Sequence, residues 1–116
     1  MDIDNFDIQI KPFFWVEHRN NVSVCLNVGE YKTKIFHVRK DDCFEGNGYD
    51  WSSLAQVFLN ELMPELANSV RFDSEADMFC AYSDDRDALK TFILSFKKVC
   101  DNKTLIEDLV SRVKLD

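Results

Sequence analysis

Between Phe44 and Trp51 the chain changes its period, and that change limits the fold more than any other feature of its 116 residues. Upstream, Val22, Val24, Leu26 and Val28 alternate with Ser23, Cys25 and Asn27, the period of two of a half-buried strand. Downstream, Trp51, Leu54, Ala55, Phe58 and Leu62 recur at i, i+3, i+4, i+7 and i+11, the apolar stripe of a helix. The junction Phe44-Glu45-Gly46-Asn47-Gly48-Tyr49-Asp50-Trp51 holds two of only three glycines. Glycines that close together mark a turn needing unusual φ values or close backbone approach. Asp50 then stands where the helix N-cap is expected.

The same two periods organise the rest of the chain. The apolar run from Ile8 to His18 predicts a strand that Pro12 places at a strand start or a sheet edge. Tyr31 to Val38 predicts a further strand, with Thr33, Ile35 and His37 on one face and Lys34, Phe36 and Val38 on the other. With Val22 to Val28 these strands read as an antiparallel meander. Pro64 ends the first helix near Leu62 or Met63. Val70 and Phe72, a Ser74-to-Asp77 turn and Met78 to Tyr82 read as a second hairpin of the same sheet. Ser83-Asp84-Asp85 opens a second helix whose buried stripe is Leu89, Phe92, Ile93, Phe96 and Cys100, and the acidic first turn suits the helix dipole. Asp101-Asn102 breaks it. Thr104 to Val113 is a last short helix, with Thr104 and Glu107 at capping-box spacing and Leu105, Leu109 and Val113 facing inward. The expectation is one α+β domain over residues 1–116: a largely antiparallel sheet of about five strands packed against two to three helices, with residues 1–10 a loosely ordered N-terminal segment.

Composition bounds the partners. A chain of this length buries a core without disulfides or metal, and ten phenylalanines make that core aromatic. A net charge of −7 argues against nucleic acid or an anionic membrane as partner and permits a basic protein. The acidic start, Met1 to Asp7, lacks a signal pattern, and no apolar run is long enough to span a bilayer, so a cytoplasmic location is expected. Cys25, Cys43, Cys80 and Cys100 form no C-x-x-C pair. Cys25, Cys80 and Cys100 read as small buried hydrophobes of a reducing compartment, and Cys43 as the accessible thiol.

No catalytic constellation emerges. His18 and His37 are strand-end histidines without a third partner, and a His37–Cys43 nucleophile pair lacks an orienting group. Asp73-Ser74-Glu75-Ala76-Asp77 lacks the glycine and terminal glutamate of a calcium loop, and Gly46-Asn47-Gly48 lacks the lysine of a phosphate loop. No cofactor and no metal site is predicted, and no enzymatic activity. The glycine turn does present Tyr49, Asp50 and Trp51 together, the residue types of a protein–protein hot spot, with Asp41, Asp42 and Glu45 beside them. Tyr49 and Trp51 read equally as anchors of the helix on the sheet. A second acidic set, Asp84, Asp85 and Asp87, lies at the start of the second helix, and Glu75 and Asp77 lie at the opposite end of the intervening strand.

The junction octapeptide followed by Ser53-Leu54-Ala55 resembles the signature of the immunity protein 51 family. So do Phe72 to Ser83, Trp15-Val16-Glu17-His18, Val22 to Gly29 and Leu109-Val110-Ser111-Arg112. The resemblance runs over most of the chain from about Pro12; Asp77 stands where the family's hairpin turn carries glycine. It implies a non-catalytic bacterial immunity protein of a polymorphic toxin or contact-dependent inhibition system, which binds and neutralises a cognate toxin C-terminal domain in the cytosol. On that reading Tyr49, Asp50 and Trp51 are the anchor and Glu45, Asp84 and Asp85 the charge partners. The alternative is a small-molecule-binding regulatory domain with a pocket between sheet and helices, among Phe13, Trp15 and Phe58.

Overall fold

The computed structural model of the protein describes residues 5–113, except residues 33, 37, 38, 40–43 and 45. Helix α1 (Asn5–Ile10) leads into strand β1 (Phe14–Glu17), then β2 (Val22–Asn27). After the junction come α2 (Gly48–Leu62), a 3-10 turn (Pro64–Leu66), β3 (Arg71–Phe72), β4 (Met78–Ser83), α3 (Arg86–Cys100) and α4 (Lys103–Val110). The sheet order is β1-β2-β4-β3 and every pairing is antiparallel. The α+β class is thus as the periods predict, with four strands among the described residues instead of about five.

The strand expected over Tyr31 to Val38 is not formed by the described residues of that segment. Gly29 and Lys32, at φ values of 112° and 50°, turn the chain away from the sheet edge after β2. The Ile35 amide then donates to the Lys32 carbonyl at 3.2 Å, closing a helical-type turn. Its purpose is visible in the burial: consecutive residues Ile35 and Phe36 both go into the core, at 7% and 1% exposure. A strand sends consecutive side chains to opposite faces and cannot do this. Thr33, His37 and Val38 lie outside the described residues. The strand expected from Ile8 begins only at Phe14, because Asn5–Ile10 is helical; β1 is an edge strand, as Pro12 implies.

Helix boundaries are set by caps. Asn47, not Asp50, is the N-cap of α2: its Oδ1 accepts from the Asp50 amide at 2.9 Å, while Asp50 Oδ2 accepts from the Gly46 and Asn47 amides at 2.9 and 3.4 Å. This reciprocal box satisfies orphan donors of the first turn and puts the cap three residues ahead of the expected one. Leu62, expected inside, is 47% exposed, and Leu59 at 0% takes its place in the stripe. The α2 helix ends at Leu62, before Pro64. Asp85 caps α3 by accepting from the Ala88 amide at 3.1 Å. The expected stripe Leu89, Phe92, Ile93, Phe96 and Cys100 is buried throughout. Asn102 rather than Thr104 caps α4, accepting from the Leu105 amide at 3.2 Å. The buried residues there are Ile106, Leu109 and Val110, and Leu105 is only half-buried.

Helices α2 and α3 cover one face of the sheet, where Val22, Val24, Leu26, Phe79 and Ala81 point. Trp51, 2% exposed, is the hub: its ring lies 5.7–6.4 Å from those of Phe13, Tyr31, Phe36, Phe79 and Phe96. Seven of the ten phenylalanines are buried. Of the residues expected around a small-molecule pocket, Phe58 is 1% exposed in the core, while Phe13 and Trp15 line a cavity with Asp7, Lys11, Pro12 and Phe14. The cavities found among the described residues open at the surface instead.

Candidate functional site

Antiparallel register decides which side chains face away from the helices. Residues opposite one another project to the same side, so the partners Cys25↔Cys80, Ser23↔Tyr82 and Asn27↔Met78 share the second face of the sheet. On β1, Phe14↔Cys25 and Val16↔Ser23 extend it, and Arg71↔Tyr82 adds β3. No helix among the described residues packs on this face. Phe14 is 39% exposed, and Val16, Met78, Cys80 and Tyr82 are half-buried. The result is an open face with an apolar and aromatic middle, unusual on a sheet whose other side is so fully covered.

The two ends of β4 are the two rims of this face. At one end the start of α2 lies against the Glu75–Met78 turn. The Gly48 amide donates to the Ala76 carbonyl at 3.0 Å, and a Cβ on Gly48 would stand 1.9 Å from the Glu75 carbonyl oxygen and 2.4 Å from that of Met78. Only glycine permits this approach. It brings Tyr49, 55% exposed, next to a turn whose Glu75 and Asp77 are exposed. Asp77 closes that turn without a positive φ. The Ser52 and Ser74 hydroxyls, 2.5 Å apart, pin the same junction, and Ser74 Oγ accepts from the Cys80 amide at 2.9 Å.

At the other rim Asp84 and Asp85 are exposed beside a cavity of about 420 Å³ that Arg71 and Tyr82 also line. Glu17 on β1 takes Arg86 of α3 through two guanidinium nitrogens and the Trp15 Nε1–H at 2.6 Å. The Arg86 hydrogen bond, with that of Trp15, holds the Glu17 carboxyl down at about 2 against an ordinary 4.5.

The sequence-predicted residues therefore separate. Tyr49 belongs to the first rim and Asp84 and Asp85 to the second, about 17 Å away along a six-residue strand. Asp50 is half-buried, with its carboxylate turned to the backbone of the junction as a cap. Trp51 is corrected from anchor of a partner to anchor of the core, since burial at 2% leaves it no contact surface. Glu45, Asp41 and Asp42, and the His37–Cys43 pair, lie outside the described residues. His18 Nε2 is 2.9 Å from Ser23 Oγ. Among the described residues no group of three metal-ligating side chains converges, and no described helix is long and apolar enough to cross a membrane.

Sequence reasoning missed the open face itself. The signal was present in the alternate positions of the two strands: Cys25 of β2 and Cys80 and Tyr82 of β4 are not the charged residues that a solvated face usually carries. What the strands alone do not reveal is which parity the helices cover.

Comparison with curated proteins and with solved structures finds no match. The family model described as Immunity protein 51 matches residues 13–115, which takes in the sheet, its open face and both rims, and the chain belongs to that family.

Proposed function

We propose that this protein binds a cognate toxin domain directly in the cytosol and neutralises it as a stoichiometric, non-catalytic inhibitor. The observation that carries the reading is the open sheet face. An apolar middle formed by Phe14, Val16, Met78 and Tyr82 lies between rims bearing Tyr49 and the acidic side chains of Asp84 and Asp85. That is the anatomy of a protein–protein interface, in which a desolvated centre supplies affinity and a polar rim supplies register. Membership of an immunity protein family supports a protein partner. The net charge of −7 favours a partner with a basic surface. Glu45, four residues before Tyr49 in the chain, is assigned to the first rim on its sequence position alone.

The test is co-purification with the toxin domain encoded immediately upstream, with toxin activity assayed beside it. A one-to-one complex and loss of toxicity are expected. Tyr82→Ala and Tyr49→Ala should each weaken the complex, by about 2 kcal/mol for a hot-spot residue, while leaving thermal stability nearly unchanged. A tight complex indifferent to both variants would move the interface to another face. No complex and no protection would overturn the toxin-binding reading, and a metabolite screen of the isolated protein would follow.

A further inference from the structure

The open face holds a pair of thiols that the toxin-binding reading does not use. Cys25 and Cys80 are direct cross-strand partners on it, and both are free. Opposed residues of an antiparallel pair have Cα atoms about 4.5–5.5 Å apart. A disulfide spans Cα separations of about 4.4–6.8 Å. The backbone therefore already holds these two residues at bridging distance, with both side chains on one side.

The two thiols are not equivalent. Cys25 is 5% exposed beneath its neighbours, whereas Cys80 is half-buried and forms part of the wall of a cavity of about 400 Å³ open to solvent. His18, Arg19, Asn21 and Tyr82 are among the other residues of that cavity. Cys25 and Ser23, both on β2, face Cys80 from the neighbouring strand. Ser23 Oγ is 2.9 Å from His18 Nε2, and both residues line the same cavity as Cys80. Cys25 first, and then Ser23, lower the Cys80 thiol below its ordinary value, against the opposing effects of burial and of the Asp73 carboxylate. The neighbouring Cys80 and burial raise the Cys25 thiol. Cys100 is 0% exposed, and burial raises its thiol, so it has neither access nor activation.

We propose that Cys80 is a reactive thiol facing this cavity and Cys25 its resolving partner, so that small disulfides of the glutathione type close a Cys25–Cys80 cross-strand bond on the open face. The Cys80 thiolate attacks one sulfur of the small disulfide; its S–S bond breaks, a mixed disulfide forms and one small thiolate leaves to be protonated by water. Cys25 then loses its proton to solvent and attacks Cys80 Sγ, displacing the second small thiolate. The two protein thiols together lose two electrons and two protons, and the small disulfide is reduced to two thiols. The cationic Arg19 at the cavity suits the carboxylates of such a peptide disulfide.

The experiment uses the full native chain carrying Cys43→Ser, incubated with oxidised glutathione and read by intact and peptide mass spectrometry. Cys25, Cys80 and Cys100 fall on different tryptic peptides, so each product is assigned directly. The expected product has lost two hydrogens, retains no glutathione and links the Cys25 and Cys80 peptides. Cys25→Ser should stop at one glutathione on Cys80, and Cys80→Ser should remain unmodified. Ser23→Ala should slow the reaction at Cys80 while its circular dichroism stays that of the parent. A stable adduct on Cys80 in the parent would overturn the resolving role of Cys25. Reaction at Cys100, or no reaction until urea unfolds the chain, would overturn the site.

Discussion

Gly48 shows how much one side chain decides here. Replacing a glycine in the first helical turn with alanine ordinarily gains about 1 kcal/mol of helix propensity. At Gly48 the new Cβ would meet two backbone carbonyl oxygens at 1.9 and 2.4 Å, and backbone cannot step aside as a flexible side chain can. Overpacking of this kind costs about 1–3 kcal/mol or more, so Gly48→Ala should be destabilising by about 2 kcal/mol net. A urea midpoint equal to that of the parent would mean the α2 start does not press on the Glu75–Met78 turn. Neighbouring Trp51 and Tyr49 separate core from surface in the same way. Trp51→Ala should cost about 3–5 kcal/mol of stability, as truncation of a buried aromatic does. Tyr49→Ala, at a 55% exposed position, should stay within about 0.5 kcal/mol. Both residues are visible in the sequence as an aromatic pair; their division of labour depends on a helix start that places one ring inward and the other outward.

At the scale of elements, caps and one ion pair do the joining. Asn47→Ala removes the acceptor for the Asp50 amide and should cost about 1 kcal/mol, measurable as a lowered urea midpoint with unchanged slope. Asp85→Ser removes a rim charge but keeps a cap on α3, so stability should be retained within about 0.5 kcal/mol while toxin binding is tested separately. The Glu17–Arg86 pair ties the edge strand β1 to the first turn of α3. Because the folded-state carboxyl sits at about 2 and the ordinary value is 4.5, its contribution is fully present above 4.5 and disappears as pH falls through 2. Carboxyl NMR titration should find the Glu17 midpoint near 2, and Arg86→Gln should return it toward 4.5. A midpoint that does not move would remove Arg86 as the cause. The pair is fully exposed, so its effect on global stability is screened and small. These caps were only partly legible in advance. Ser83-Asp84-Asp85 is legible as the acidic opening of α3, but that Asp85 is its cap is a finding of the structure. Asn47 was hidden because Asp50, an equally good cap by type, sits at N3 next to the apolar stripe and completes the box instead.

For the whole molecule, the consequence is a two-layer domain with one layer left uncovered. Charge then acts at long range. If the toxin is a nuclease, its phosphate-binding cleft is cationic, and association with a chain of net charge −7 is electrostatically steered. The association rate should fall steeply between low and high salt, because the Debye length shortens from about 30 Å at 0.01 M to about 3 Å at 1 M. Stopped-flow measurement at both salts decides this; an unchanged rate would assign the affinity to the apolar middle of the face rather than to its rims.

The sequence by itself determined what depends on neighbours within a few residues: the periods of β2, α2 and α3, the stop at Pro64, the hairpin that carries β4, and the aromatic character of the core. Those features follow from side-chain spacing and backbone chemistry, which are local. Only the tertiary structure decided that Ile35 and Phe36 both turn into the core, that Trp51 is a core hub, and that Cys25 faces Cys80. It alone also decided which parity of β2 and β4 the helices leave open. Those outcomes depend on which distant surfaces meet and exclude water, and a period of two is the same on either face of a sheet until a helix covers one of them.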